Sequence, residues 1–264
     1  MEHALTFNNL TLGYNNKIII EGLSSKIKAG KFTALIGPNG CGKSTLLKSV
    51  VNLVSSKSGD ITLANGESVQ QLKSKQLAQC ISLLPQTPIT PEGVTVRELV
   101  GFGRAPYLNI MGSLSKDDHH YVAQAMKRAN VEEFANSPLS SLSGGQRQRV
   151  WIAMILAQNT DIVLLDEPTT YLDLCHQYEL LDILAELVTQ GKTVVVVLHD
   201  LNQACRYADE LIVMKAGELF IQGDSKSVMT EEMLEEVFNL DASIITDPES
   251  DTAMLIPRIK SSKK

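Results

Sequence analysis

Residues 32–50, FTALIGPNGCGKSTLLKSV, contain three local patterns in direct succession. FTALI is a continuous apolar run that predicts a buried strand, and the leucines and the valine after Lys43 recur at helical spacing. Between them, residues 37–44 fit the spacing GxxxxGK[ST], which requires a strand before it and a helix after it. The order of strand, glycine-rich turn and helix therefore predicts a phosphate-binding loop in an α/β core.

Each part of this loop has an expected role. The glycines let backbone N–H groups turn inward around phosphate oxygens, and the helix that follows adds the positive end of its dipole. Lys43 is expected to reach the β- and γ-phosphates, Ser44 to offer its hydroxyl to Mg²⁺, and Thr45 to bind a phosphate further back. A glycine-rich turn of purely structural use is the alternative, but a lysine and a hydroxyl at these offsets argue against it. The expected nucleotide contacts are Gly37, Pro38, Asn39, Gly40, Cys41, Gly42, Lys43, Ser44 and Thr45.

A second motif, which is acidic, lies at the end of another apolar run. IVLLDEP, residues 162–168, places Asp166 and Glu167 at a strand end that faces the same crevice as the phosphate loop in a parallel sheet. Asp166 is the expected Mg²⁺ partner, since Mg²⁺ prefers oxygen ligands. Glu167 then remains to accept a proton from the attacking water. The alternative is that both carboxylates cap a helix that begins at Pro168.

Composition restricts the class of protein. The chain has 264 residues, 44% of them apolar, and a net charge of −6, which offers no overall field for nucleic acid or anionic lipid. It contains neither an apolar run of bilayer length nor a signal-peptide pattern at its start, so a cytoplasmic protein is expected. The four cysteines are scattered, which favours free thiols over disulfides or a metal site.

The order of patterns predicts the architecture. Residues 1–30 indicate antiparallel strands, a further strand pair is expected around residues 59–69, and residues 87–159 are expected to be mainly helical. Alternating apolar strands and helices elsewhere predict a parallel sheet covered on both faces. We expect one domain over residues 1–240, with the helical segment inserted in it, and a C-terminal extension over residues 241–264 whose end, from residue 256, is a solvated tail.

A third motif makes the chain resemble a known family. Residues 142–146 spell LSGGQ at a predicted helix start, and this is the signature of the ATP-binding cassette (ABC) ATPases. The chain is similar to that family over nearly its whole length. The resemblance implies a P-loop NTPase (RecA-like) core, an N-terminal antiparallel β subdomain and an α-helical signature subdomain. It also implies roles for Tyr14 (stacking on adenine), Gln86 (the Q-loop glutamine), Asp173 (the D-loop) and His199 (the switch histidine).

The resemblance also implies that two copies act together. A helix N-terminus with a serine hydroxyl and glycine N–H groups is an anion site, yet the chain already has a phosphate loop. By resemblance, Ser143, Gly144, Gly145 and Gln146 of one copy close on the γ-phosphate held by the other, with Asp173 aligning the opposite copy. Two ATP molecules are then buried in a homodimer, and hydrolysis lets the halves part. Gln86 is expected to touch the Mg²⁺ or the attacking water, and His199 the γ-phosphate and Glu167.

Longer stretches are similar to one branch of the family. YLDLCHQ at residues 171–177 and LHDLNQACRYAD at residues 198–209 resemble the ATPase subunits of ferric-siderophore importers. That resemblance implies a transmembrane permease, a substrate-binding protein and a place on the cytoplasmic face of the membrane. Cobalamin and haem importers remain open, and so does a non-transport ABC ATPase in DNA repair or translation. Residues 103–107 are expected either to meet the permease or to form a turn between helices.

Overall fold

The computed structural model describes residues 2–90, 92–108 and 112–258. The strands are β1 (His3–Tyr14), β2 (Lys17–Lys28), β3 (Phe32–Ile36), β4 (Ser56–Leu63), β5 (Ile81–Leu84), β6 (Ile162–Asp166), β7 (Thr193–Val197), β8 (Glu210–Lys215), β9 (Glu218–Gly223), β10 (Ala242–Thr246) and β11 (Ala253–Pro257). The α-helices are α1 (Lys43–Val50), α2 (Ser74–Cys80), α3 (Val96–Phe102), α4 (Lys116–Arg128), α5 (Gly144–Gln158), α6 (Leu174–Thr189), α7 (Leu201–Tyr207), α8 (Ser225–Val228) and α9 (Glu231–Phe238). Short 3₁₀ turns cover Ala105–Tyr107, Glu132–Phe134 and Leu139–Ser141.

A six-stranded sheet forms the centre, in the order β5-β6-β7-β3-β8-β9. Its first five strands are parallel, and only β9 runs antiparallel to its neighbour. Every residue of β3, β6 and β7 is buried, as expected for strands covered on both faces. Phe32 and Ile36 join one apolar cluster, whereas Leu35 joins the other. The predicted α/β core with a covered parallel sheet is confirmed.

A smaller antiparallel sheet, in the order β2-β1-β4, lies at the N-terminal end of the chain. The expected strand pair around residues 59–69 is present only in part: β4 pairs with β1, and its return arm meets it through an isolated antiparallel bridge between Thr62 and Ser68. The turn contains Gly66 at φ +85°, and the next apolar residue, Val69, is fully buried. The arm turns into the core after one bridge and cannot extend the ladder.

The expected helical segment consists of α3, α4 and α5. Thr95, Ser115 and Ser143 start these helices, and each forms a capping box with the residue three positions later. α5 ends at Asn159, which has the left-handed conformation common at helix ends. The capping residues explain why this segment is helical between the strand ends of β5 and β6.

The C-terminal end differs from the expected solvated tail. Ile256 and Pro257 belong to β11, which forms an antiparallel hairpin with β10. Arg258 is fixed by Glu231 and Asp241. In residues 253–257, AMLIP, the buried residues Ala253 and Leu255 alternate with more exposed ones. This alternation is a strand pattern, and it explains why the stretch is not a tail. Residues 259–264 lie outside the described part of the chain.

None of the helices in the described ranges is long and apolar enough to cross a bilayer.

Candidate nucleotide site

Three neighbouring strands of the central sheet carry the site. β6, β7 and β3 are adjacent and parallel, so their carboxyl ends lie at one edge. The phosphate loop follows β3, Asp166 ends β6, and His199 follows β7 by two residues. A cleft of about 450 Å³ opens at this edge. It is lined by Lys17, Ile19, Asn39, Gly40, Gly42, Lys43, Ser44, Thr45, Gln86, Glu167 and His199.

The phosphate loop needs its glycines. Gly37 and Gly42 have φ values of +149° and +108°, which side chains rarely tolerate. A Cβ on Gly37 would lie 2.2 Å from the carbonyl oxygen of Met214, and one on Gly42 would lie 2.9 Å from Cγ1 of Ile20. The loop is therefore packed against β8 and β2 from below, while its other side faces the cleft.

Lys43 is buried inside this loop. The residue is only 5% exposed, and its Nζ donates to the carbonyl oxygens of Gly37 at 2.7 Å and Pro38 at 3.0 Å. Cys41 lies 3.8 Å from the same Nζ and is buried, which fits a small filling residue. A buried ammonium held by two neutral carbonyls and a thiol retains an unneutralised charge that a phosphate would complement.

Ser44 lines the cleft, and the buried carboxylate of Asp166 lies directly behind it. The Ser44 hydroxyl donates to Oδ1 of Asp166 at 3.0 Å. Asp166 is 1% exposed, and its Oδ2 has no hydrogen-bond partner among the described residues. Burial, with the neighbouring Glu167 carboxylate, raises the pKa of Asp166. A hydroxyl next to a buried carboxylate with a free oxygen fits Mg²⁺, which a phosphate would help to hold.

Two side chains contact the carboxylate of Glu167. Nε2 of Gln86 donates to Oε2 at 2.5 Å, and Nε2 of His199 lies 2.8 Å from Oε1. The three residues come from three different strand ends, and all three line the cleft. The alternative that the carboxylates cap a helix is wrong, because the next helix begins at Leu174 and is capped by Asp173.

The signature residues lie away from this cleft. Ser143 caps α5 by accepting from the N–H of Gln146, whose side chain in turn accepts from the N–H of Ser143. Gly144 and Gly145 form the first turn of that helix, and Asp173 caps α6. None of these five described residues lines the cleft, and Tyr14, which is 48% exposed, does not line it either. Gly37, Pro38 and Cys41 belong to the phosphate loop but do not line the cleft.

Two lining residues were missed by the sequence reasoning. Lys17 and Ile19 begin β2 and reach the cleft from the N-terminal sheet, where Lys17 pairs with Tyr14 across the turn. The sequence could have pointed to them only through their position just after the turn that follows Tyr14, on a strand expected to pair with β1. Without the sheet-to-loop packing, nothing in the pattern distinguishes them from other strand residues.

The segment after Gln86 also has a definite structure. Arg104 is 5% exposed and donates from Nε to Asp118 at 2.7 Å and from Nη1 to the carbonyl oxygen of Ala157 at 2.8 Å. Its guanidinium lies over the rings of Tyr107 and Tyr121. Arg104 therefore holds α3, α4 and α5 together and is not available as a surface contact.

Comparison with known proteins identifies the family. The family model described as ABC transporter matches residues 20–170, more than half of the chain. The achromobactin transport ATP-binding protein CbrD of Dickeya dadantii is 48% identical over 96% of this chain and 94% of its own length. The iron(3+)-hydroxamate import ATP-binding protein FhuC of Bacillus subtilis is 45% identical over 94% of this chain and 93% of its own.

Solved structures agree with these relatives. A structure described as an inward-facing metal-chelate type ABC transporter matches with a TM-score of 0.82 and 30% identity, covering 98% of this chain and 99% of that one. A dimeric bacterial ABC transporter cassette matches with a TM-score of 0.75 and 31% identity, covering 83% and 98%. The expected fold and the resemblance to iron-chelate import ATP-binding proteins are thereby confirmed, and the chain belongs to the ABC transporter family of ATP-binding proteins.

Proposed function

We propose that the chain binds and hydrolyses ATP as the motor subunit of an iron-chelate importer. The observation that carries this proposal is the convergence of Gln86 and His199 on the carboxylate of Glu167 at the mouth of the phosphate loop. A carboxylate that a glutamine and a histidine contact beside a phosphate loop is arranged to orient and deprotonate a water molecule.

The loop binds the nucleotide. Lys43 exchanges its two carbonyl partners for phosphate oxygens, and inward backbone N–H groups of the loop cradle the rest. Ser44 and Asp166, with Gln86 at the rim, would hold Mg²⁺, which when bound neutralises charge on the phosphates. Lys17 and Ile19 cover the cleft from the N-terminal sheet.

Glu167 acts as the general base. Its carboxylate accepts a proton from the water that attacks the γ-phosphate, while His199 and Gln86 keep it oriented. His199 is 46% exposed as a side chain and can also reach the phosphate side of the cleft. Hydrolysis thus depends on the relative positions of three residues that follow the ends of β5, β6 and β7.

A second copy is proposed to complete the site. Ser143 is exposed at the start of α5, and a Cβ on Gly144 would meet nothing within 4 Å of the same chain. A Cβ on Gly145 would meet only ordinary contacts at 3.7 Å. Nothing in a single chain therefore needs glycine at these two positions, which supports close approach by another molecule. We propose that Ser143, Gly144, Gly145 and Gln146 face the γ-phosphate of the second copy, with Asp173 at the contact.

The cargo is proposed from the relatives. CbrD and FhuC carry achromobactin and iron(3+)-hydroxamate in their names, which supports ferric siderophore as the cargo here. Permease subunits, a substrate-binding protein and a peripheral place on the cytoplasmic face of the membrane follow from that role. Haem is the second candidate, because the hemin import ATP-binding protein HmuV of Shewanella denitrificans is 38% identical over 96% of this chain.

We also propose that residues 1–240 form one ATPase domain and that residues 241–264 extend it. The β10–β11 hairpin is joined to this domain by Asn202 of α7, whose amide exchanges two hydrogen bonds with the backbone of Leu255. The helices of residues 87–159 are the proposed inserted subdomain.

Two measurements test the proposed function. The purified chain is expected to hydrolyse ATP in the presence of Mg²⁺, and a Lys43→Ala variant is expected to lose this activity. A strain lacking the gene is expected to lose uptake of radioactive iron supplied as ferric hydroxamate and to regain it with the wild-type gene. Loss of haem or cobalamin uptake with normal ferric hydroxamate uptake would reject the proposed cargo, and ATP hydrolysis without any transport defect would favour a non-transport ATPase.

A further inference from the structure

The segment from Glu167 to Leu172 connects the end of β6 to α6 without regular secondary structure. Its backbone carbonyls must therefore find partners outside a helix or a strand ladder. Glu167 O accepts from Thr170, through both its N–H and its hydroxyl. The carbonyl oxygen of Thr169 accepts from the N–H of Leu172, and glutamine side chains from neighbouring helices donate to the carbonyl oxygens of Pro168, Thr169 and Leu172.

The first glutamine comes from the signature helix. Gln148 of α5 is 5% exposed, and its Nε2 donates to the carbonyl oxygen of Pro168 at 2.9 Å. Pro168 directly follows Glu167, so this bond fixes the backbone on the C-terminal side of the proposed base. It joins the helix that begins at Ser143 to the catalytic strand end.

The second and third glutamines act in series. Gln177 of α6 donates from Nε2 to the carbonyl oxygens of Leu172 at 3.0 Å and Thr169 at 3.4 Å. Its Oε1 accepts from Nε2 of Gln203 at 2.8 Å, and Gln203 is only 2% exposed. Gln203 lies on α7, the helix that begins immediately after His199 and Asp200. The segment is thus tied to the helix that follows the switch histidine.

Glu167 itself needs such support. Its φ is +53°, in the left-handed region that glutamate seldom occupies. A residue in this region persists only where its surroundings determine its conformation, and such strain is found at functional sites. Released from its neighbours, Glu167 would return toward an ordinary conformation and turn its carboxylate away from Gln86 and His199.

We infer that Gln148 and Gln177 are positioning residues for Glu167, and that Gln203 fixes Gln177 in the orientation this requires. None of the three lines the nucleotide cleft; they hold the backbone that places the base. This inference rests on the proposed function, since it assigns them a role only if Glu167 is the base. These hydrogen bonds also connect the backbone after Glu167 to the signature helix and to the helix that follows the switch histidine.

The chain offers a matched control on the same helix. Gln158, the last residue of α5, donates from Nε2 to the carbonyl oxygens of Ala78 at 2.7 Å and Ile81 at 3.3 Å. The chemistry is the same as at Gln148, but these bonds lead to α2 and β5 and do not touch the segment after Glu167. Removing the Gln158 amide therefore measures the stability lost with such a hydrogen bond when the proposed base is not displaced.

The experiment compares Gln148→Met, Gln177→Met and Gln158→Met in the 264-residue chain. Methionine keeps the length and volume of glutamine and removes the donor. We expect kcat for ATP to fall about tenfold or more in the first two variants, because a small displacement of a catalytic group has a large effect on rate. KM for ATP should stay within about twofold of wild type, since the phosphate loop is untouched. Gln158→Met should lower Tm to a similar degree with kcat unchanged.

A second comparison separates positioning from general damage. In a chain that already carries Glu167→Gln, the Gln148→Met substitution should not lower the residual rate further, because it acts through the base. Equal kcat losses in all three single variants, or an additive loss in the double variant, would overturn the inference while leaving Glu167 as the base. A Glu167→Gln variant that hydrolyses ATP at the wild-type rate would instead overturn the proposed function and this inference together.

Discussion

Nε2 of His199 lies 2.8 Å from Oε1 of Glu167 and thereby joins the carboxyl ends of β7 and β6. The two strands are adjacent and parallel, with Asp166 paired to Val197, so the distance between these side chains is set by the sheet. His199 is the more exposed of the two, at 46% against 11% for Glu167. The proposed base is therefore the more sheltered member of the pair.

Removal of this histidine is expected to impair hydrolysis more than binding. In His199→Ala, Glu167 keeps only the Gln86 contact, and kcat should fall about a hundredfold, as is common when a preorganised donor is lost. The affinity for ATP should change little, because Lys43 and the loop are unaffected. Steady-state kinetics and equilibrium binding measure the two separately.

His120→Ala is the control for this variant. His120 is exposed on α4, far along the chain from the cleft residues. Its activity should match the wild type. A His199→Ala variant with full kcat would show that the contact with Glu167 is not needed for hydrolysis.

The cleft residue Lys17 is expected to contribute modestly to nucleotide affinity. It is exposed at the rim, and charges at exposed positions are screened by water and salt. Lys17→Ala should weaken ATP binding by about two- to fivefold, corresponding to the energy of an exposed ion pair. Lys26→Ala, on the same strand but lining a different groove, should bind as the wild type does. Equal affinities in both variants would remove Lys17 from the site.

Ser143→Arg tests the proposed contact between copies. An arginine at the start of α5 would project from an exposed position and hinder a second copy, while the cleft of the same chain stays intact. The variant should bind ATP as a monomer with the wild-type affinity and hydrolyse it poorly. Loss of ATP binding by the monomer would contradict a site divided between two copies.

The buried pair of Arg104 and Asp118 predicts a pH dependence of stability. Burial opposes ionisation, but hydrogen bonds from Ser115 and the Arg104 guanidinium lower the pKa of Asp118 to about 2, from an ordinary value of 3.8. The ionised carboxylate therefore stabilises the fold above about pH 4, and this contribution is lost as the pH falls from about 4 to about 2.

Asp118→Asn should accordingly lower Tm at neutral pH, with a cost on the order of 3 kcal/mol for leaving Arg104 unpaired. The difference in Tm from the wild type should shrink as the pH falls below 4. Asp117→Asn changes an exposed carboxylate one residue away and should have little effect. Thermal unfolding of the three proteins between pH 2 and pH 7 tests this, and a constant difference at every pH would be inconsistent with the pair.

The sequence predicted those features that depend on local spacing. The strand, loop and helix around Lys43, and the apolar strand before Asp166, are each encoded within a few neighbouring residues. The parallel sheet followed from their alternation, and it places both motifs at one edge. Residues 59–69 and 253–257 were misjudged because pairing there depends on partners outside each stretch, β1 for the former and β10, together with Asn202 of α7, for the latter.

The remaining features of the site depend on three-dimensional packing. Lys17 and Ile19 reach the cleft only because the N-terminal sheet packs on the loop, as the close approach of Gly42 to Ile20 shows. Gln148 and Gln177 lie in helices whose pattern indicates only that they are polar, and their acceptors are set by the path of the chain after Glu167. The positive φ of Glu167 has no signature in a sequence.

The measurement that tests the central claim most directly is the mass of the Glu167→Gln variant in solution, with and without ATP and Mg²⁺. This substitution removes the proposed base and keeps the size of the side chain, so ATP should bind without being consumed. We expect a stable dimer of the chain that contains ATP, and a monomer when ATP is absent, with hydrolysis reduced to a small fraction of the wild-type rate. A variant that hydrolyses ATP at the wild-type rate, or that stays monomeric with ATP bound, would contradict the account.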